Sequence, residues 1–141
     1  MTIVPSTELL AKLRAWRHAS AAPTFVRAAI SADDIYLGGT IGLCWFLAPD
    51  GRVLEVLDHE DSAPVVREQL GDDATWILAD AAWHLGVPEL FDLLPPAPAE
   101  AIACSTCNGT HYQHIANFTG PLDGDHTVAC YGCHGRGWRI P

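Results

Sequence analysis

Hydrophobic spacing along the chain changes period several times, and each change predicts an element. Leu9, Leu13 and Trp16 recur at i, i+4 and i+7 behind Ser6, so residues 7–18 predict an amphipathic helix with Ser6 at its N-cap. Its basic residues lie toward the C-terminal end, where the helix dipole favours them. Such a helix covers one face of a sheet. Residues 19–23 break the pattern, Thr24 to Ile30 predicts a strand, and Ser31-Ala32-Asp33-Asp34 a turn. The strongest strand signal follows in Ile35 to Leu37, Gly38-Gly39 and Thr40 to Ala48, returning across Pro49-Asp50-Gly51 into Arg52 to Leu57. Proline presets φ and glycine takes the left-handed position, so this segment predicts an antiparallel hairpin. Trp45 and Phe46 then point to opposite faces, one into the core and the other under a helix or at the surface. Cys44, within an apolar run, predicts a small buried hydrophobe.

The second half of this region predicts helices. Ser62 would cap a helix from about Pro64 to Leu70, closed by Gly71, and Asp72 would cap another from about Asp73 to Leu85. The latter is apolar nearly all round through Trp76, Ile77, Leu78, Ala81, Ala82, Trp83 and Leu85, the pattern of a buried helix. Gly86 and Pro88 stop it, and Glu89 to Leu94 predicts one short further turn. Pro95 to Glu100 is proline-rich and predicts an extended, semi-rigid spacer. The expected layout is an acidic α+β domain over residues 1–94, the spacer over 95–100, and a separate module over 101–141.

Cysteines organise that module. Cys104-Ser105-Thr106-Cys107 and Cys130-Tyr131-Gly132-Cys133 are two Cys-x-x-Cys knuckles separated by 22 residues. Folding the intervening loop back as a hairpin, His111 to Phe118 against His126 to Cys130 around a turn at Thr119 to Asp125, brings four sulfurs into the tetrahedron that zinc favours. Gly109 and Gly135 each fall two residues after a knuckle, where backbone amides must turn toward sulfur. So short a segment has little core of its own, and the metal would supply most of its folding free energy, about 10 kcal/mol or more. The expected fold class is therefore α+β, a small antiparallel sheet with packed helices, followed by a C-terminal zinc ribbon. His111, His114, His126 and His134 crowd the same segment and offer an alternative ligand. Four thiolates would already close the site, leaving no position for water and arguing against hydrolytic zinc chemistry.

Composition narrows the partners. Apolar residues make up 49% of the chain and charged ones 18%, a folded composition. No apolar run approaches a membrane span, and Glu8, Lys12, Arg14 and Arg17 occupy the positions where a signal peptide would need an apolar stretch. A reducing cytoplasm is expected, where cysteine pairs at this spacing hold metal rather than disulfides. From Asp33 to Glu100 there are 14 acidic residues against Arg52 and Arg67, a net of −12 in a chain whose total is −9. That field repels nucleic acid and anionic membrane and would steer a basic protein partner inward; the alternative is that the acidity simply keeps the protein soluble. In the ribbon Asp123 and Asp125 offset Arg136 and Arg139, so a nucleic-acid footprint is missing there too.

Two clusters invite catalytic readings. Asp58-His59-Glu60-Asp61 has acid/base and metal-ligand types, though an exposed connection of carboxylates is ordinarily solvated. Asp80 and His84 stand one helical turn apart, the geometry of an oriented imidazole or of a helix-stabilising pair. No nucleophile lies at a recognisable motif distance, and no catalytic residue is assigned.

The second knuckle, Cys130-Tyr131-Gly132-Cys133-His134-Gly135-Arg136-Gly137, resembles the Cys-x-x-Cys-x-Gly-x-Gly repeat of DnaJ-type co-chaperones, and the first knuckle differs in carrying His111 at the last glycine. The resemblance spans about 30 residues, with two repeats where those proteins have four, and no His-Pro-Asp signature is present. It implies a ligand role for Cys104, Cys107, Cys130 and Cys133 in one zinc site. The layout as a whole, with Pro88 to Pro96 leading to the ribbon, is similar to uncharacterised bacterial proteins, and the acidic first domain is faintly similar to SUKH-type immunity domains. The expected function is a non-catalytic, zinc-stabilised protein-binding module, in its most concrete form an immunity protein that neutralises a basic toxin. The alternative is a chaperone-like adaptor gripping polypeptide through Tyr131 and Trp138.

Overall fold

The Ser6 hydroxyl accepts the Leu9 N–H at 3.1 Å and so caps the first helix, α1 (Thr7–Trp16). In this computed structural model the described residues are 3–16, 31–40, 42–58, 63–118 and 124–141. The strand expected over Thr24 to Ile30 and the residues His59 to Ser62 lie outside them. Leu9, Leu10 and Leu13 are buried on one face of α1, as their spacing requires.

Strands β1 (Ile35–Thr40), β2 (Leu43–Leu47), β3 (Val53–Leu57) and β4 (Val65–Gln69) form an antiparallel meander in sequence order. Both faces of its central strands are buried. Trp45, Leu47, Val53, Ile35 and Leu37 pack with the helices in the main core, while Cys44, Phe46, Ala48, Leu54 and Val56 form a second cluster with Tyr36. Trp45 and Phe46 do point to opposite sides, and Cys44 is fully buried. The Trp45 indole N–H donates to Glu55 across the strand pair at 3.2 Å, so its polar edge is not stranded in the core.

The helix expected between Pro64 and Leu70 is instead strand β4, paired to β3 through Val56↔Val66 and Leu57↔Val65. Arg67, Glu68 and Gln69 suit a helix locally, but two adjacent β-branched valines meeting an open sheet edge outweigh that preference. Gly71 accordingly opens the next helix, α2 (Gly71–Leu85), rather than closing one, and Leu70 precedes it without a side-chain cap. Asp72 is not the N-cap; it lies inside the first turn. Gly86 ends α2 in the left-handed conformation, and a 3-10 helix (Pro88–Leu93) follows. Ile77, Leu78, Ala81, Ala82 and Leu85 of α2 join Leu90, Leu93 and Leu94 in the main core.

Beyond a turn at residues 99–100, the C-terminal segment holds two small sheets: β5 (Ile102–Ala103) with β8 (Trp138–Arg139), and β6 (Tyr112–Phe118) with β7 (Gly124–Ala129). The hairpin was expected, whereas the β5–β8 pair carries too few residues to leave a sequence signal. β6 starts at Tyr112, one residue later than its apolar pattern suggested, because His111 has φ of 79° and belongs to the knuckle.

Phe46 is 1% exposed and centres the second cluster. Phe46→Ala is expected to cost about 3–5 kcal/mol in urea unfolding, with metal content unchanged because the metal-binding residues lie elsewhere.

Candidate metal centre

Each knuckle is one tight turn followed by a left-handed excursion. Asn108 and His134 share φ of 54°, Gly109 and Gly135 share 79°, and His111 and Gly137 have 79° and 85°. The two knuckles therefore have the same backbone, related by an approximate two-fold. Their cross-links obey it as well: the Cys104 N–H donates to the Gly137 carbonyl at 3.1 Å, and the Cys130 N–H to the His111 carbonyl at 2.9 Å. Pairing of Ala103 with Trp138 and of Tyr112 with Ala129 extends each link into a ladder.

This folding brings Cys104, Cys107, Cys130 and Cys133 together. All four are buried, and their sulfurs lie within 4.8 Å of one another. Cys104 and Cys130 are separated by 3.8 Å and Cys107 and Cys133 by 3.7 Å, sulfur to sulfur. A regular tetrahedron of thiolates around zinc has an edge of about 3.8 Å, given a metal–sulfur distance near 2.3 Å. The quartet is positioned to chelate one metal ion. Backbone amides support the ligands, with the N–H of Gly132 donating to Cys130 sulfur at 3.3 Å and that of Gly137 to Cys133 sulfur at 3.2 Å.

The electrostatics call for a cation. In the metal-free chain burial pushes the Cys133 thiol up to about 12, with the neighbouring Cys130 and Cys107 sulfurs adding to the effect. Burial likewise raises Cys130. Burial also opposes ionisation of Cys104, but the amides of Cys107 and Thr106 and the facing thiols outweigh it and bring that group down to about 6. Four thiolates so close cannot all carry charge without a metal between them.

His111, His114 and His134 do not join the quartet. His111 Nδ1 lies 2.8 Å from the Gly135 carbonyl, its ring covers Gly137, and it stacks on Phe91 with centroids 4.2 Å apart. His134 faces Asp72 at 3.4 Å, and the His114 side chain is exposed. Of the catalytic candidates, Asp58 is exposed, and His59, Glu60 and Asp61 lie outside the described residues. Asp80 and His84 do meet, at 3.4 Å. Burial raises the Asp80 carboxyl while His84 pulls it back, and burial with Asp80 nearby lifts the Tyr112 hydroxyl to about 12.

The ribbon also packs on α2 through contacts that spacing along the chain did not reveal. Asp72, Trp76, Ala79 and Trp83 form one stripe of α2, opposite its core-facing residues. Asp72 pairs with Arg136, Trp76 meets Tyr131 at 4.6 Å between ring centroids, the Ala79 carbonyl accepts the Tyr112 hydroxyl at 2.9 Å, and Trp83 meets Tyr112 at 5.1 Å. The helix is apolar nearly all round because it has two partners. It is not buried all round, since Trp83 is 52% exposed. The available signal was this stripe at i, i+4, i+7 and i+11, beside an apolar face already sufficient for a core.

Comparison with protein-family models, characterised proteins and solved structures finds no match to this chain. The functional reading therefore rests on the geometry.

Two outcomes follow. Metal uptake at neutral pH must displace protons, because Cys133 and Cys130 are held protonated by burial in the metal-free chain. The bound state is favoured as pH rises and lost as pH falls. Native mass spectrometry across an acid titration should show one ion per chain at neutral pH and progressive release below it, and Cys107→Ser or Cys133→Ser should abolish stoichiometric binding at neutral pH. At Gly135, with φ of 79°, a Cβ would also run into Ala79 on α2. Gly135→Ala should lower unfolding stability by roughly 2 kcal/mol or more, measured by denaturant titration.

Proposed function

We propose that this chain is a non-catalytic protein-binding module, held in shape by zinc on Cys104, Cys107, Cys130 and Cys133, whose acidic first part engages a basic protein. The observation that carries the reading is the net of −12 between Asp33 and Glu100. Among the described ion pairs of lysine and arginine, Arg52–Asp50 is already within that net, and Lys12–Glu89 and Arg136–Asp72 neutralise only a small part of it. A surface of this kind accelerates encounter with positive partners and rejects negative ones, including nucleic acid and anionic lipid. Its most concrete form is an immunity protein that binds and neutralises a basic toxin. Zinc is the metal of choice because a four-thiolate set at tetrahedral spacing suits it, and because a set closed by four protein ligands serves structure rather than hydrolysis. Within the described residues no helix is long and apolar enough to cross a membrane.

A second reading, a chaperone-like adaptor that grips polypeptide through the ribbon, is favoured by Tyr131, which is 62% exposed at the tip of the second knuckle. Trp138 contributes less to it, because the Arg136 guanidinium lies 5.6 Å from its ring centroid.

Titration calorimetry of the metal-loaded chain separates these readings. Purified basic proteins should bind at low ionic strength and weaken about tenfold or more on raising salt to a few hundred millimolar, whereas acidic proteins of similar size should not bind. Equal binding of acidic and basic proteins would remove the charge-based reading. Binding of an uncharged, unfolded polypeptide that Tyr131→Ala abolishes would establish the adaptor instead.

A further inference from the structure

The C-terminal turns of α2 place a carboxylate, an exposed indole and a phenol side by side. Asp80 keeps 28% of its side chain exposed, and its described partner is His84 at 3.4 Å. Trp83, one turn along, leans on Tyr112 at 5.1 Å with the ring planes 56° apart, yet leaves 52% of its surface to solvent. Tyr112 is fixed in place by donating its hydroxyl to the Ala79 carbonyl at 2.9 Å and by an edge contact with Phe91 at 5.9 Å. Among the described residues no lysine or arginine pairs with Asp80.

The same molecule completes a comparable arrangement internally. At the N-terminal turn of α2 the Arg136 guanidinium pairs with Asp72 and lies 5.6 Å from the Trp138 ring centroid. Carboxylate, indole and guanidinium are all present there. At Asp80 the carboxylate and the indole stand one helical turn apart, with His84 at the carboxylate. A planar guanidinium suits such a pair better than an ammonium, since it stacks flat on an aromatic face while its fork of N–H donors reaches a carboxylate.

Building on the proposed acidic binding module, we infer that Asp80, Trp83 and Tyr112 form the contact point for an arginine side chain of the basic partner. Trp83 supplies the exposed face, Tyr112 backs it, and Asp80 receives the guanidinium N–H groups. The general negative field brings the partner near, and this corner selects where one arginine rests. His84, on the rim, is the group an arriving arginine would replace beside Asp80.

The test uses the full, metal-loaded chain and an unstructured peptide alternating glycine and arginine, titrated by calorimetry at low ionic strength. Asp80→Asn and Trp83→Leu should each weaken binding about fivefold or more, while Asp33→Asn, which removes the same charge at an exposed site distant in sequence, should change it less than about twofold. The matching glycine–lysine peptide should bind the unaltered chain about threefold more weakly than the arginine peptide. Equal losses from Asp80→Asn and Asp33→Asn would overturn the localised contact and leave the acidic-module reading standing, as would equal affinity for the lysine and arginine peptides. Absence of binding by the unaltered chain would remove both. Metal content and unfolding midpoint are measured on every variant; if Trp83→Leu loosens the ribbon, the near-isosteric Asp80→Asn decides the outcome.

Discussion

Four buried sulfurs within 4.8 Å of one another are the constraint on which the C-terminal third of the molecule depends. Among the described residues the buried apolar cluster of that region consists of the four cysteines themselves, so the sulfurs are what holds the knuckles together. Thiols at this spacing are crowded and thiolates repel, and a cation converts both problems into bonds. The short β5–β8 pair and the hydrogen bonds from Cys104 to Gly137 and from Cys130 to His111 all cross between the knuckles, so they persist only while the quartet does.

Helix α2 transmits this dependence to the rest of the chain. Ile77, Leu78, Ala81 and Leu85 face the sheet and α1, and the stripe from Asp72 to Trp83 faces the ribbon. Each side covers apolar area the other leaves bare. The C-terminal segment thus acts as a cover plate as much as a module of its own, and it shares one joint surface with the acidic part of the chain. That joint surface combines negative charge with the exposed aromatic edges of Trp83 and Tyr131.

Features set by short-range chemistry were readable from the chain itself. The Ser6 cap, the opposed faces of Trp45 and Phe46, the buried Cys44 and the cysteine quartet each follow from a local period or a fixed spacing, and each is present. Features set by a distant partner were not. Val65 to Gln69 is strand because Val56 and Leu57 pair with it, and the two valines are too short a signal to decide against Arg67, Glu68 and Gln69 from within the segment. Asp72 looked like a cap because Asp precedes a helical run, but its role is decided by Arg136, 64 residues away. The stacking of Phe91 on His111 joins a 3-10 turn to a knuckle across 20 residues of chain, with no periodicity to announce it.

The departure of the first knuckle from the second has a consequence for assembly. The face turned to α2 is already one-sided, because Arg136, Tyr131 and Tyr112 have Thr110, Ser105 and Trp138 as their counterparts across the two-fold, and His111 in place of a glycine adds to that asymmetry. His111 accepts a φ of 79° that costs any residue with a Cβ more than it costs glycine, and its ring occupies the space over Gly137 and seats on Phe91. The strained residue is a key cut on one side only. Backbones that match are thereby dressed with side chains that do not, and the fit on the neighbouring helices is one-sided.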